Sequence, residues 1–124
     1  MSETEGIITA TEQDGVVIVR LTKSQIFDIE TAEALTAELK ALVQAKAGRQ
    51  WVIDLTGVEL IISPVVSALL STLRSDRESG GDVALCGMGD AVHRVIGLAR
   101  LDRVFNTYDT LEQALAAARD ARSS

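Results

Sequence analysis

The sequence predicts a single α/β domain: a mixed, mostly parallel sheet with an N-terminal hairpin and four helices. Three observations predict it. The chain has 124 residues and is 47 % apolar, enough for one core and too short for two ordinary domains. From residue 28 onward, strand-like apolar runs alternate with apolar stripes at helical spacing, which implies βαβ crossovers. Ahead of them, two β-branched runs flank Gln13-Asp14-Gly15, a turn whose glycine suits a φ > 0 position.

The first strand is read over Ile7 to Thr11 and the second over Val16 to Leu21. The pattern lapses through Thr22-Lys23-Ser24-Gln25 into Ile26-Phe27. Asp28 or Thr31 then caps a helix whose apolar face is Ala32, Leu35, Leu39, Leu42 and Val43, and Gly48 ends it. Trp51 to Leu55 is an apolar run with little alternation, as in a strand covered on both faces. Ser63-Pro64 opens the second helix, Ser as cap and Pro at the first helical position, with Val65, Val66, Leu69, Leu70 and Leu73 facing inward. Gly80-Gly81 stop it, and Asp82 to Cys86 is the next strand. Asp90 caps a third helix carrying Val92, Val95, Ile96 and Leu98. Val104 to Tyr108 reads as the last strand. Asp109 or Thr110 caps a final helix with Leu111, Ala114, Leu115 and Ala118 inward. The domain spans residues 6–121, with fraying expected at residues 1–5 and from Arg122 to the end.

Composition narrows the function classes. The net charge of −6 is concentrated at the start: Glu3, Glu5, Glu12 and Asp14 meet no base before residue 15, and the remainder holds 14 acids against 12 bases. No Lys/Arg cluster offers the stripe of phosphate contacts that nucleic-acid binding needs. The longest nearly uncharged stretch, Leu60 to Thr72, is short of the ~20 residues of a membrane span, so no direct membrane insertion is expected. The acidic start Met1-Ser2-Glu3-Thr4-Glu5 lacks the layout of a signal peptide, and a cytoplasmic location is expected. The single cysteine, Cys86, excludes an internal disulfide and a Cys-based zinc cluster, and it reads as a buried, inert thiol.

The stretch Asp54-Leu55-Thr56-Gly57-Val58-Glu59-Leu60-Ile61-Ile62-Ser63-Pro64 resembles the STAS domains of bacterial anti-sigma factor antagonists, whose signature runs approximately D-L-S-G-V-x-F-I-D-S-S-G-L-G-x-L-L. Asp54, Leu55, Gly57, Val58, Ile61, Ser63, Leu69 and Leu70 fall on matching or similar positions. Asp28 with Thr31-Ala32 and Leu35 resembles the family's D-x-x-T-A-x-x-L. Gly80-Gly81 with the following strand, the run from Val92 and Arg94 to Leu101 and Phe105, and Glu112-Gln113-Ala114-Leu115 match in order. The resemblance covers about residues 7–118 and implies a STAS-type fold.

It also implies a function. The domain is expected to be a non-catalytic interaction module, needing no cofactor or metal, in a partner-switching pathway that controls sigma factor activity. The expected partner is an anti-sigma factor of the serine-kinase type, which the unmodified family member captures and the phosphorylated form releases. The partner-binding rim would hold Asp28, Ser63, Pro64 and Ser67. One departure matters: the family's phosphorylated serine is usually the second Ser of D-S-S-G, and that position is Pro64 here, with Ile62 for the Asp and Val65 for the Gly. Proline has no hydroxyl. Ser63, matching the first serine, is either a relocated phospho-acceptor or simply a helix cap, and Ser67 and Thr72 are weaker candidates. The loss at Pro64 equally suits a non-phosphorylated accessory subunit or scaffold, for example of a lipid-transport ABC system.

The remaining candidates have plain structural readings. Asp28 and Asp54 each read as a rim residue or as a cap and a strand end. His93, the only histidine, has no neighbouring ligand residue and is expected to be a solvated helix side chain. A triad of Ser63 and His93 with an Asp lacks the G-x-S-x-G elbow. Gly87-Met88-Gly89 lacks the third glycine of a dinucleotide fingerprint and the lysine of a P-loop, so a tight βα connection explains it.

Overall fold

In the computed structural model the chain is described over residues 7–26, 28–46 and 48–123. Residues 1–6, Phe27, Ala47 and Ser124 lie outside the described residues, so the expected domain start at residue 6 and the expected fraying at residues 1–5 do too. The elements in order are β1 (Ile8–Gln13), β2 (Val16–Leu21), β3 (Gln25–Ile26), α1 (Ile29–Lys46), β4 (Gln50–Asp54), β5 (Leu60–Ile61), α2 (Ser63–Glu78), β6 (Asp82–Cys86), α3 (Asp90–Leu98), a 3-10 turn (Leu101–Arg103), β7 (Asn106–Tyr108) and α4 (Leu111–Ser123). Five strands form one sheet in the order β1-β2-β4-β6-β7. The β1–β2 hairpin is antiparallel and every other neighbour in that sheet is parallel. Both Asp14 and Gly15 have positive φ, the backbone of the tight turn that twists with its flanking strands.

The two faces of the sheet are covered unequally. On one face Val17, Val19, Trp51, Ile53, Val83 and Leu85 meet Leu35, Leu39, Leu69, Leu73 and Ile96 from α1, α2 and α3. On the other, Val16, Ile18, Val52 and Cys86 are covered by α4 alone, through Ala114, Leu115 and Ala118. Small side chains let that helix lie close to the sheet. Alternation along β2 sends Val17 and Val19 to one face and Val16 and Ile18 to the other, so both sets are buried.

Several boundaries differ from the sequence expectation. Two short strands, β3 and β5, pair parallel as a separate two-stranded sheet, and neither was expected. The last strand begins at Asn106 rather than Val104, because Val104 and Phe105 donate to the Leu101 carbonyl in a helical turn. Leu98 is 79 % exposed, not part of the core: α3 ends on it and Arg100 then turns left-handed, φ +61°. Asp90 is the first helical residue of α3 and not its cap; Gly89 occupies the cap and its carbonyl accepts the His93 amide. α4 is capped by Thr110, whose hydroxyl accepts the Gln113 amide while Gln113 reaches back to the Asp109 and Thr110 amides, a reciprocal capping box. The helix continues to Ser123, past the fraying expected from Arg122.

Glycine packing makes a sharp pair of predictions. A β-carbon on Gly81 would lie 2.2 Å from the Arg49 carbonyl oxygen, a backbone atom, and 2.3 Å from Asp76 Oδ2. Gly81→Ala should therefore cost about 1–3 kcal/mol through overpacking. Gly97, inside α3, meets nothing within 4 Å, and Gly97→Ala should gain about 0.5–1 kcal/mol from helix propensity. Denaturant melts of the two variants check the opposite signs.

Candidate functional site

Two helix starts lie side by side, and the small β3–β5 sheet sets them there. Ile26 pairs with Ile61 in parallel register. Two residues beyond each partner the chain reaches Asp28 and Ser63, which open α1 and α2. Parallel strands travel in the same direction, so both helices leave the same end of this sheet and then pack along one another. The Ser24 carbonyl, which accepts the Glu59 and Leu60 amides, holds the two approaches together.

Asp28 is the α1 cap. Its Oδ2 accepts the Thr31 amide and the Thr31 hydroxyl, each at 2.9 Å. The Thr31 hydroxyl and then its amide hold the Asp28 carboxyl below the ordinary aspartate value. Ser63 differs from its expected role as a cap. The α2 cap is Ile62, extended at φ −112° and ψ 168°, and its carbonyl accepts the Val65 and Val66 amides. Ser63 and Pro64 are therefore the first two helical residues. No side-chain hydrogen bond caps α2, and the Ser63 hydroxyl, exposed, has no partner among the described residues. Its first turn also carries no acid, whereas α1, α3 and α4 carry Glu30, Asp90 and Glu112 there.

Ser63, Pro64 and Ser67 line an open groove of about 460 Å³ between α2 and α1, with Thr36, Ala68 and Ser71. It runs on through Thr36, Ala68 and Ser71 into a second depression of about 530 Å³ that includes Lys40, Gln44 and Ser75. Thr72 is not available: it is buried and its hydroxyl donates to the Ala68 carbonyl. Val65 is fully buried and Val66 half-buried, so neither supplies an apolar contact at the start of α2. The exposed apolar side chains near these helix starts are Ile29, the first residue of α1, and Leu60 in β5, at 56 % and 40 %. Neither was singled out from the sequence.

Asp54 ends β4 and is nearly buried, and its carboxylate is fully engaged. Oδ1 accepts the Thr56 amide and hydroxyl, at 3.0 and 2.6 Å, and Oδ2 accepts Arg20 Nε at 3.0 Å. Burial alone would raise its pKa; the Thr56 bonds, with Arg20 behind them, outweigh that and lower it. Gly87, at φ +71°, passes so close that a β-carbon there would meet the Thr56 hydroxyl at 2.2 Å. This packing accounts for Gly87 as a tight connection, and Asp54 as the post it packs on. Cys86 is buried beneath, its thiol pushed up to about 12 by burial and by the Asp54 carboxylate.

His93 is exposed and lines a separate crevice of about 180 Å³ with Met88, Thr107, Tyr108, Asp109 and Gln113. Ser63 and His93 thus face different clefts, and the geometry does not assemble them as nucleophile and base. Among the described residues no group of three His, Cys, Asp or Glu side chains is placed to hold a metal. No described helix is long and apolar enough to cross a membrane.

Asp28→Ala should lower the melting temperature at neutral pH by uncapping α1. Because the Asp28 pKa is lowered on folding, its contribution is present above the ordinary value of 3.8 and lost as pH falls through the folded value. The difference between parent and variant should close in acid; a gap that persists there would contradict the cap.

The STAS domain family model matches residues 8–114, and the chain belongs to that family. It is 26 % identical over 101 residues to an anti-sigma F factor antagonist of Paenibacillus polymyxa, an alignment spanning 82 % of this chain and 85 % of the relative. The crystal structure of an anti-sigma factor antagonist from Mycobacterium paratuberculosis superposes with a TM-score of 0.79 at 33 % identity, over 90 % of this chain and 92 % of that one. An anti-sigma-factor antagonist (STAS) domain protein from Planctomyces limnophilus shares the fold with a TM-score of 0.82 at 24 % identity, covering 93 % and 99 %.

Proposed function

We propose that this STAS domain, residues 6–121, is a cytoplasmic, non-enzymatic anti-sigma factor antagonist that works by partner switching, and that Ser63 is its phospho-acceptor. The partner is an anti-sigma factor of the serine-kinase type, and the surface it meets is the rim of Asp28, Ser63, Pro64 and Ser67. The observation that carries this reading is the Ser63 hydroxyl: exposed, without a hydrogen-bond partner among the described residues, and on the first turn of α2.

The chemistry of that position supports a switch. A phosphate adds about −1.5 to −2 charge at pH 7. At the start of α2 it would meet the positive end of the helix dipole, with no first-turn acid to repel it. The domain would stay folded while its surface changed. A partner fitted to a small hydroxyl, with apolar contact to Ile29 and Leu60, would then face a bulky dianion and lose affinity. Pro64 leaves the hydroxyl at Ser63 as the nearest substitute for the family's usual acceptor.

The lack of a hydroxyl at Pro64 also supports a second reading, an accessory subunit or scaffold whose partner stays bound without phosphorylation. Two substitutions separate the two. Since Ser63 caps nothing, Ser63→Ala should leave stability within about 0.5 kcal/mol of the parent, as for ordinary surface changes. If Ser63 is the switch, Ser63→Ala binds the anti-sigma factor near normally, and Ser63→Asp binds it at least tenfold more weakly by calorimetry. Equal affinity for the two variants would sink the switch and favour the constitutive subunit.

A further inference from the structure

The C-terminal half of α2 carries a buried acid that the rim does not use. Asp76 lies on the same stripe as Val65, Leu69, Thr72 and Leu73 and is 0 % exposed. Its Oδ1 accepts the Gly48 amide at 2.9 Å, tying the end of α2 to the turn between α1 and β4. Its Oδ2 is buried with no hydrogen-bond partner.

Near that oxygen lies a second acceptor. The point a Gly81 β-carbon would occupy is 2.3 Å from Asp76 Oδ2 and 2.2 Å from the Arg49 carbonyl oxygen, so glycine's missing side chain brings two oxygens to one small space. The Arg49 carbonyl is only lightly engaged, by the Asp82 amide at 3.3 Å. Two lone-pair oxygens converging in a buried space repel unless one carries a proton.

Among the described residues no cation is paired with Asp76. Lys46, at the end of α1, and Arg49, in the turn after it, both bind Glu12. Arg77, next on α2, bonds Asp82 Oδ1 at 2.9 Å and the Val104 carbonyl. Asp82, at the start of β6, adds like-charge repulsion, and Glu78 on α2 is exposed.

We propose that Asp76 is a proton-held clasp: as a neutral acid it donates its Oδ2 proton to the Arg49 carbonyl, and ionisation leaves two facing acceptors that loosen the joint between α2, β4 and β6. Burial pushes the Asp76 carboxyl up to about 6 from 3.8, with Asp82 adding to it, against the Gly48 and Arg49 backbone amides, which favour the carboxylate. The sign follows from linkage. The folded state holds the proton more tightly than the unfolded state, so stability is greatest in mild acid, falls as pH rises from 3.8 to about 6, and levels above. Asp28 and Asp54, lowered from 3.8, act below that window, and Glu12, lowered from 4.5, acts at its acid edge in the opposite sense.

The test follows the Asp76 side-chain carboxyl carbon by NMR across pH 3–8 in the intact chain, alongside denaturant melts of the parent, Asp76→Asn and Asp82→Asn. The midpoint should fall near 6. The parent's folding constant should drop roughly 100-fold between pH 4 and pH 7, the size of a two-unit shift. Asp76→Asn keeps the Gly48 bond and offers an N–H to Arg49; its folding constant should not fall over the same range, and should lie above the parent's at pH 7. Asp82→Asn should keep the fall with a somewhat lower midpoint, because burial and not the Asp82 charge is the larger cause. A midpoint at or below 3.8, or parallel curves for parent and Asp76→Asn, would overturn the clasp; the titration decides even if the Asn variant does not fold.

Discussion

The parallel pairing of Ile26 with Ile61 is the constraint from which the rim follows. Each strand contributes only two residues, yet the register fixes where Asp28 and Ser63 emerge and in which direction α1 and α2 depart. Both isoleucines are buried under the main core, so the pairing is held by packing as much as by its ladder bonds. Slipping the register by one residue would turn those isoleucines to the opposite face and expose them, which burial forbids. The surface available to a partner is thereby determined by apolar side chains that no partner touches.

The two helix starts are stabilised by different means. α1 is closed by a side chain: Asp28 satisfies the Thr31 amide and is itself held charged by doing so. α2 begins on the Ile62 carbonyl, with Pro64 contributing the fixed φ of a first-turn residue and no amide to satisfy. The unused hydroxyl of Ser63 is a consequence of that arrangement. A serine that capped the helix would be tied to the backbone; a serine one residue further along is left facing solvent. At the other end of α2, Asp76, Gly48, Arg49 and Gly81 are packed without slack. One end of the helix is thus fitted for contact and the other for anchorage.

Much of this was legible in the sequence, and the exceptions have physical causes. β2 and β6 fall where expected because each is a dense apolar run bounded by a turn signal, Asp14-Gly15 before one and Gly80-Gly81 before the other. Asp28 was legible as one of two cap candidates, beside Thr31, because Asp or Thr ahead of a helix-spaced stripe is a cap signal. β3 and β5 were not, since two residues carry no periodicity and their pairing partner is 35 positions away along the chain. The Ser63 cap was misread because Ser-Pro fits both cap-then-first and first-then-second positions, and only the backbone angles of Ile62 separate them. Leu98 was read with the inward residues of α3, but its spacing from Val92 and Ile96 turns it off their stripe, and it is exposed. Asp76 was hidden in the charged run Arg74-Ser75-Asp76-Arg77-Glu78, although its spacing from Leu69 and Leu73 places it on the buried face. Ile29 and Leu60 were missed because exposure of a single apolar residue has no sequence signature.

The free hydroxyl on the first turn of α2 is where a kinase partner is proposed to act. The most direct measurement is to recover tagged protein from its own cells, identify what co-purifies, and map phosphate in the same sample. The account predicts an ATP-binding anti-sigma factor with the unmodified chain, and phosphate on Ser63 in the chain that is free of it. A stable partner of another kind, with Ser63 unmodified throughout, would contradict it.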